Sequence, residues 1–200
     1  MGVAGGSGSG KTTLCQALTQ QSPDVSVLDL DAYYLDRSHL LPAERDRLNF
    51  DEPAAFDTEL LSGHLRRLAR GETIGKPVYS FASHTRVGTE RFVPGRFVLV
   101  EGLFSLWWED VRGLWDLTVY VDAPVDIRLK RRIDRDIATR GRTVESVIAQ
   151  YARTVRPMHE RYIEPTRQHA RVVLSNEGTV ETALVPIVEA LRRLGVSGDG

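Results

Sequence analysis

Eight residues, Gly5-Gly6-Ser7-Gly8-Ser9-Gly10-Lys11-Thr12, constrain this chain more than any other segment, because they match G-x-x-x-x-G-K-[ST] in full. Glycines at these positions let the backbone turn sharply and aim successive N–H groups inward. A helix starting at the loop adds its positive N-terminal end. Gly5, Gly6, Ser7, Gly8, Ser9, Gly10, Lys11, Thr12 and Thr13 are therefore expected to cradle the phosphates of a nucleotide. Lys11 would reach the β- and γ-phosphates, and the Thr12 hydroxyl is placed for Mg2+. A flexible Gly/Ser linker is the competing reading, and it fails on context. An apolar stub at 1–4 precedes the motif and an amphipathic stretch at 11–20 follows it. The stub is shorter than the centre of a sheet normally wants, which leaves open whether further strand residues precede Met1.

Short apolar runs at 25–28, 97–100, 117–121 and 171–174 are continuous rather than alternating. Such runs suit parallel strands covered on both faces. Between them lie helical patterns at 11–20, at 58–70 (Leu60, Leu61, Leu65 and Leu68 on one face), at 144–162 and at 180–194. Another is expected from Pro124, since proline suits the first helical position. This alternation predicts an α/β fold of three layers, a mostly parallel sheet with helices on both faces, as one domain over 1–194. Residues 76–93 break the rhythm and predict a small β-hairpin excursion, and 195–200 predict a frayed tail.

The 200 residues carry 26 basic and 27 acidic side chains, a net charge of −1. That balance argues against nucleic-acid binding through bulk charge. No apolar run approaches the ~18–20 residues of a membrane span, and no signal-peptide pattern opens the chain. Cys15 is the only cysteine, so no intrachain disulfide can form. A cytoplasmic enzyme with no nucleic-acid or membrane partner is expected. Charge is nevertheless uneven: between 126 and 142, seven basic residues face three acidic ones. A solvated helix face is the usual cause of such a run, but Arg132 and Arg135 share a face and Arg140-Gly141-Arg142 follows as a hinge. That pattern predicts a helical lid closing over a triphosphate.

A second metal-side group should leave a neighbouring strand. Glu101 does so after Phe97-Val98-Leu99-Val100. A GTPase switch fits poorly: neither Asn49 nor Asn176 precedes a lysine, and Asp110-Val111-Arg112-Gly113 lies off the dense apolar strand. After 25–28 come Asp29-Leu30-Asp31-Ala32-Tyr33-Tyr34. A carboxylate here would face the γ-phosphate and take the proton of an acceptor hydroxyl. Asp31 is preferred, as an ordinary ionised Asp, and Asp29 is read as structural.

The same residues resemble the uridine kinase (uridine–cytidine kinase) family of P-loop kinases along nearly the whole chain. Beyond the phosphate loop, the resemblance is carried by Asp31-Ala32-Tyr33-Tyr34, Asn49-Phe50-Asp51-Glu52-Pro53-Ala54-Ala55-Phe56-Asp57 and Tyr79-Ser80-Phe81-Ala82-Ser83-His84-Thr85-Arg86. It continues through Glu101-Gly102-Leu103, Arg135-Asp136-Ile137, Gln150-Tyr151 and Arg156-Pro157-Met158-His159. The resemblance implies transfer of the γ-phosphate of ATP, or GTP, to the 5′-hydroxyl of uridine or cytidine with Mg2+. It implies that Asp31 acts on the 5′-hydroxyl and Asp51 accepts from the ribose diol. Tyr79 and His84 would contact the pyrimidine beside Phe81, and Arg132 and Gln150 would complete a pocket that includes Tyr34 and Phe50. Arg135, Arg140 and Arg142 would contact ATP, with Lys11 and Arg135 sharing the catalytic charge. A homotetramer is implied by the resemblance alone. Ser80 departs from the family, which usually has Asp there. Taken singly, Asp51 reads as a cap, Tyr79 and Phe81 as core and His84 as surface; their joint spacing favours a site. Kinases of ribulose 5-phosphate or pantothenate type are the alternative within the class, and would leave Tyr79 and His84 without a task. A non-catalytic regulatory nucleotide-binding module is the alternative outside it, and would leave Asp31 without one.

Overall fold

The computed structural model describes residues 1–45, 47–177 and 179–193. In chain order the strands are β1 (Gly2–Ala4), β2 (Val25–Asp29), β3 (Ile74–Ser80), β4 (Thr85–Phe92), β5 (Phe97–Glu101), β6 (Thr118–Asp122) and β7 (Val172–Ser175). The helices are α1 (Lys11–Gln21), α2 (Pro42–Arg45), α3 (Thr58–Leu68), α4 (Glu109–Arg112), α5 (Val125–Arg140), α6 (Val144–Gln150), α7 (Arg156–Met158) and α8 (Val180–Arg193). Five strands form the parallel sheet β2-β5-β1-β6-β7, and β3 and β4 form a separate antiparallel pair.

Period-2 alternation sends each sheet strand's side chains to both sides, which is why the apolar runs are unbroken. Val119 and Val121 join Leu14, Cys15 and Leu18 of α1 and Leu184 and Ile187 of α8 in one core. Tyr120, between them, joins Leu61, Leu65 and Leu68 of α3 in the other. The expected three layers are present. Cys15 is buried, and burial pushes its thiol up to about 12, so it packs as an apolar group. No described helix is long and apolar enough to cross a membrane.

Several boundaries differ from the sequence reading for local reasons. The Asp57 side chain accepts from Leu60 N–H at 3.0 Å and starts α3, which ends at Leu68 rather than 70. Pro124 caps α5 from outside, with ψ at 148°, instead of opening it. Gly141, at φ 60°, ends it in the left-handed conformation that glycine accepts without strain. The largest difference lies at 144–162, expected as one helix. After α6 the backbone widens into a π turn at Tyr151–Val155, where Arg156 N–H donates to the Tyr151 carbonyl five residues back. A second wide turn, His159–Ile163, follows α7, and a 3-10 segment, Glu164–His169, completes the run. Pro157 and Pro165 have no N–H to give, so a regular helix cannot continue through them. The expected tail at 195–200, and Leu194 of the expected last helix, lie outside the described residues.

Candidate active site

Both strands that bring carboxylates to the phosphate loop run one residue further than expected, through Asp29 and Glu101, and these two residues stand in register on β2 and β5. The chain then folds into a tight 3-10 turn, Leu30–Tyr33, capped by the Asp29 side chain, which accepts from Asp31 N–H at 2.9 Å. Asp31 is thus set by a turn and not by an extended strand. A cleft of about 700 Å³ opens above this sheet edge. The phosphate loop, Asp29, Asp31 and Glu101 line its floor; Tyr34, Phe50, Asp51, Tyr79, Phe81 and His84 line one end. Arg131, Arg132, Arg135, Arg140 and Gln150 line the α5 side.

In the loop, Lys11 Nζ donates to the carbonyls of Gly5 at 2.8 Å and Gly6 at 3.1 Å. Burial holds its pKa below the usual lysine value, opposed by Glu101 and Asp31. Gly8 has φ 79°, and a Cβ there would collide with the backbone of Arg128, so the loop requires glycine. The Thr12 hydroxyl donates to Glu101 Oε1 at 2.7 Å. Among the described residues no group of three or more His, Cys, Asp or Glu is arranged to hold a metal. Thr12 and Glu101 nevertheless offer two hard oxygen donors beside the loop, enough for a divalent cation that takes its remaining ligands from phosphate and water. Asp31 is pushed above the ordinary carboxylate range, first by burial and then by Asp29 and Glu101. That differs from the expectation of an unperturbed Asp: burial and two neighbouring carboxylates disfavour its charged form, which makes the carboxylate a stronger base.

At the far end, Tyr34 sits at the centre of an aromatic group. Its ring centroid is 5.1 Å from Tyr79, 5.8 Å from Phe50 and 6.2 Å from Phe81. His84 stacks on Phe50 at 4.2 Å and 12°, and its φ of 53° is the one positive value among described non-glycine residues. Backbone strain of this kind gathers at binding sites. Tyr34 Oη donates to the Phe50 carbonyl at 3.1 Å, whereas Tyr79 Oη is buried with no hydrogen-bond partner among the described residues. A flat ligand with polar edges would satisfy both the rings and that hydroxyl.

On the α5 side, Arg132 is buried and bridges Ser7 Oγ at 2.8 Å and Gln150 Oε1 at 3.0 Å. Four guanidinium groups surround the fully buried Asp136: Arg135 at 2.8 Å, Arg140 at 3.5 Å, Arg142 at 3.6 Å and Arg132 at 3.7 Å. Arg140 also lies over the Phe81 ring at 5.3 Å. Of the expected nucleotide contacts, Arg135 and Arg140 face the cleft, but Arg142 does not line it. Its guanidinium is drawn to Gln150, to the Ser146 carbonyl at 3.1 Å and to Asp136. Of the loop, Ser7, Gly8, Gly10, Lys11, Thr12 and Thr13 line the cleft, and Gly5, Gly6 and Ser9 do not.

Asp29, read from the sequence as structural, caps the turn and also lines the cleft. Two residues were not singled out for the site by the sequence reading. Arg131, hidden within the run of arginines, also lines it and donates to the Asn176 carbonyl at 3.2 Å. Asn176 is buried and donates to the Ser9 carbonyl at 2.7 Å, fixing the loop from β7's end.

Residues 1–183 match the model of the Phosphoribulokinase / Uridine kinase family. A uridine kinase from Brevibacillus brevis is 46% identical over 187 residues, covering 92% of this chain and 87% of that protein. A uridine kinase from Geobacillus sp. is 46% identical over 197 residues, covering 97% and 93%. The solved phosphoribulokinase from Rhodobacter spheroides superposes with a TM-score of 0.64 at 18% identity, covering 86% of this chain and 68% of that one, a likeness of fold alone. With the family model matching residues 1–183 and relatives matching across nearly its full length, the chain belongs to the phosphoribulokinase / uridine kinase family.

Proposed function

We propose that this protein is a nucleoside kinase that transfers the γ-phosphoryl group of ATP to the 5′-hydroxyl of uridine, and of cytidine. The observation that carries this is the continuity of the cleft: one cavity runs from the phosphate loop, past Asp31, to an aromatic end with Asp51 in its wall. Phosphoryl donor and planar acceptor can therefore lie end to end with the acceptor hydroxyl beside Asp31. Lys11 leaves the Gly5 and Gly6 carbonyls for the β- and γ-phosphates, and Arg135 and Arg140 meet the charge spread over the migrating group. Asp31 orients the 5′-hydroxyl and takes its proton as the new P–O bond forms and ADP departs. Thr12 and Glu101 would hold Mg2+, whose chemistry is to neutralise charge shared by the β- and γ-phosphates.

Asp51 accepts hydrogen bonds from the ribose hydroxyls, so a substrate lacking one leaves an acceptor unpaired. Tyr79 and His84 read the pyrimidine, with Phe81 and Phe50 as walls. A cytoplasmic location is part of this reading, supported by the demand for ATP as donor. A coupled assay of ADP release over a panel of nucleosides and phosphosugars tests this reading. Turnover should appear with uridine and cytidine and need ATP and Mg2+. Turnover only with a phosphosugar would overturn the nucleoside assignment.

A further inference from the structure

The helix after the lid is not regular, and its wide turn at Tyr151–Val155 does something specific. Two residues of this region face earlier segments: Gln150, which holds Arg132, and Thr154, whose hydroxyl lies 2.8 Å from Asp51 Oδ2. The alternative acceptor for that hydroxyl, the Gln150 carbonyl, is farther at 3.2 Å. Thr154 is the one hydrogen-bond donor that the described residues supply to the Asp51 carboxylate. The Asp51 backbone is fixed separately, its N–H donating to Asn49 Oδ1 at 3.0 Å. Backbone and carboxylate thus have independent anchors. Without the second, the carboxylate could rotate about its side-chain bonds at the half-exposed wall of the cleft.

We propose that Thr154 is a positioning residue that fixes the Asp51 carboxylate for a vicinal diol, and so a determinant of selectivity for ribose over deoxyribose. This rests on the reading of Asp51 as the ribose acceptor. A carboxylate has about four lone-pair sites, so one bond from Thr154 leaves acceptor capacity for two hydroxyls while fixing the plane in which they must lie. The π turn supplies the geometry. Thr154 lies within the wide turn Tyr151–Val155, and π turns recur at functional sites.

The test is steady-state kinetics with uridine and 2′-deoxyuridine on the full chain, comparing wild type with Thr154→Val, Thr154→Ser and Asp51→Ala. Thr154→Val keeps the shape and removes the hydroxyl. It should raise the KM for uridine about five- to tenfold, change the KM for 2′-deoxyuridine less, and leave kcat and the KM for ATP within about twofold. Thr154→Ser should restore wild-type selectivity, which a packing role for the missing methyl would not. Should Thr154→Val melt below the assay temperature, Thr154→Ala gives the same readout. The proposal is overturned if Thr154→Val keeps the wild-type uridine-to-deoxyuridine ratio while Asp51→Ala lowers it. If neither variant moves the ratio, the ribose role of Asp51 fails, and the proposal fails with it.

Discussion

Replacing Asp136 with Asn should strip the arginine cluster of its common counter-ion and cost a substantial part of an ordinary domain's reserve of stability. Asp136 is fully buried, and its four guanidinium neighbours are not equivalent: Arg132 is 6% exposed, whereas Arg135, Arg140 and Arg142 are 41%, 38% and 28% exposed. The three outer groups are screened by water, so each of their pairs is worth little alone. Arg132 cannot reach water, and an unpaired buried charge costs about 3–5 kcal/mol, against a total of about 5–15 kcal/mol for a folded domain. At about 2–4 °C per kcal/mol for a chain of this size, the melting midpoint should fall by roughly 6–20 °C. Thermal and urea denaturation followed by circular dichroism measure the loss directly. The double variant Asp136→Asn with Arg132→Met should regain part of it, because removing both partners of a buried pair is far milder than removing one. A loss below about 1 kcal/mol would refute the argument, since that is the range of a solvated surface pair.

Two further outcomes follow from the site. Asp31→Asn should lower kcat by about 10²–10⁴ while ATP binding, measured by calorimetry, stays near wild type; near-normal turnover would reject Asp31 as the proton acceptor. His159 is buried behind the loop, and burial and then the Arg128 guanidinium lower its pKa to about 4, below the ordinary 6.5. Its unfolded form takes up a proton first, so its contribution is complete above pH 6.5 and is lost as pH falls from 6.5 towards 4. His159→Phe should therefore flatten the fall in urea-measured stability across that window, and an unchanged slope would dismiss His159 as its source.

What the sequence made legible was what is local. The phosphate loop is eight consecutive residues whose backbone demands are met by their own types, and the apolar runs of the strands need no partner to be seen. The hairpin was visible because its aromatic and β-branched residues and turn signals break the strand–helix rhythm. The rest depends on distance. Nothing near Asn176 signals that it fixes Ser9, because the contact exists only once β7 lies near the loop. Asp29 was read as structural because a turn, invisible in composition, brings its side chain to both the Asp31 amide and the cleft. Counting charges in α5 gave the sign of its field but not its centre: Asp136 counted as one of three acids, yet it alone is enclosed by four arginines. Arg142 is held by that same carboxylate and does not line the cleft, a pairing that no count of charges along the chain reveals.

The place of β1 at the middle of the sheet bears on how the chain is made. Gly2 pairs with Val100 on one side and Thr118 on the other, so neither neighbour exists until far more of the chain has been synthesised. At about 5–20 residues per second, the phosphate loop waits on the order of 5–20 s for the strands that shape it. Closing so long a separation before any reward slows folding. During that interval only three residues of β1 stand without a partner, too few to template pairing with another nascent chain. The cradle is therefore expected to take its final shape only after β6 has been made, because β6 is one of the two strands that flank β1.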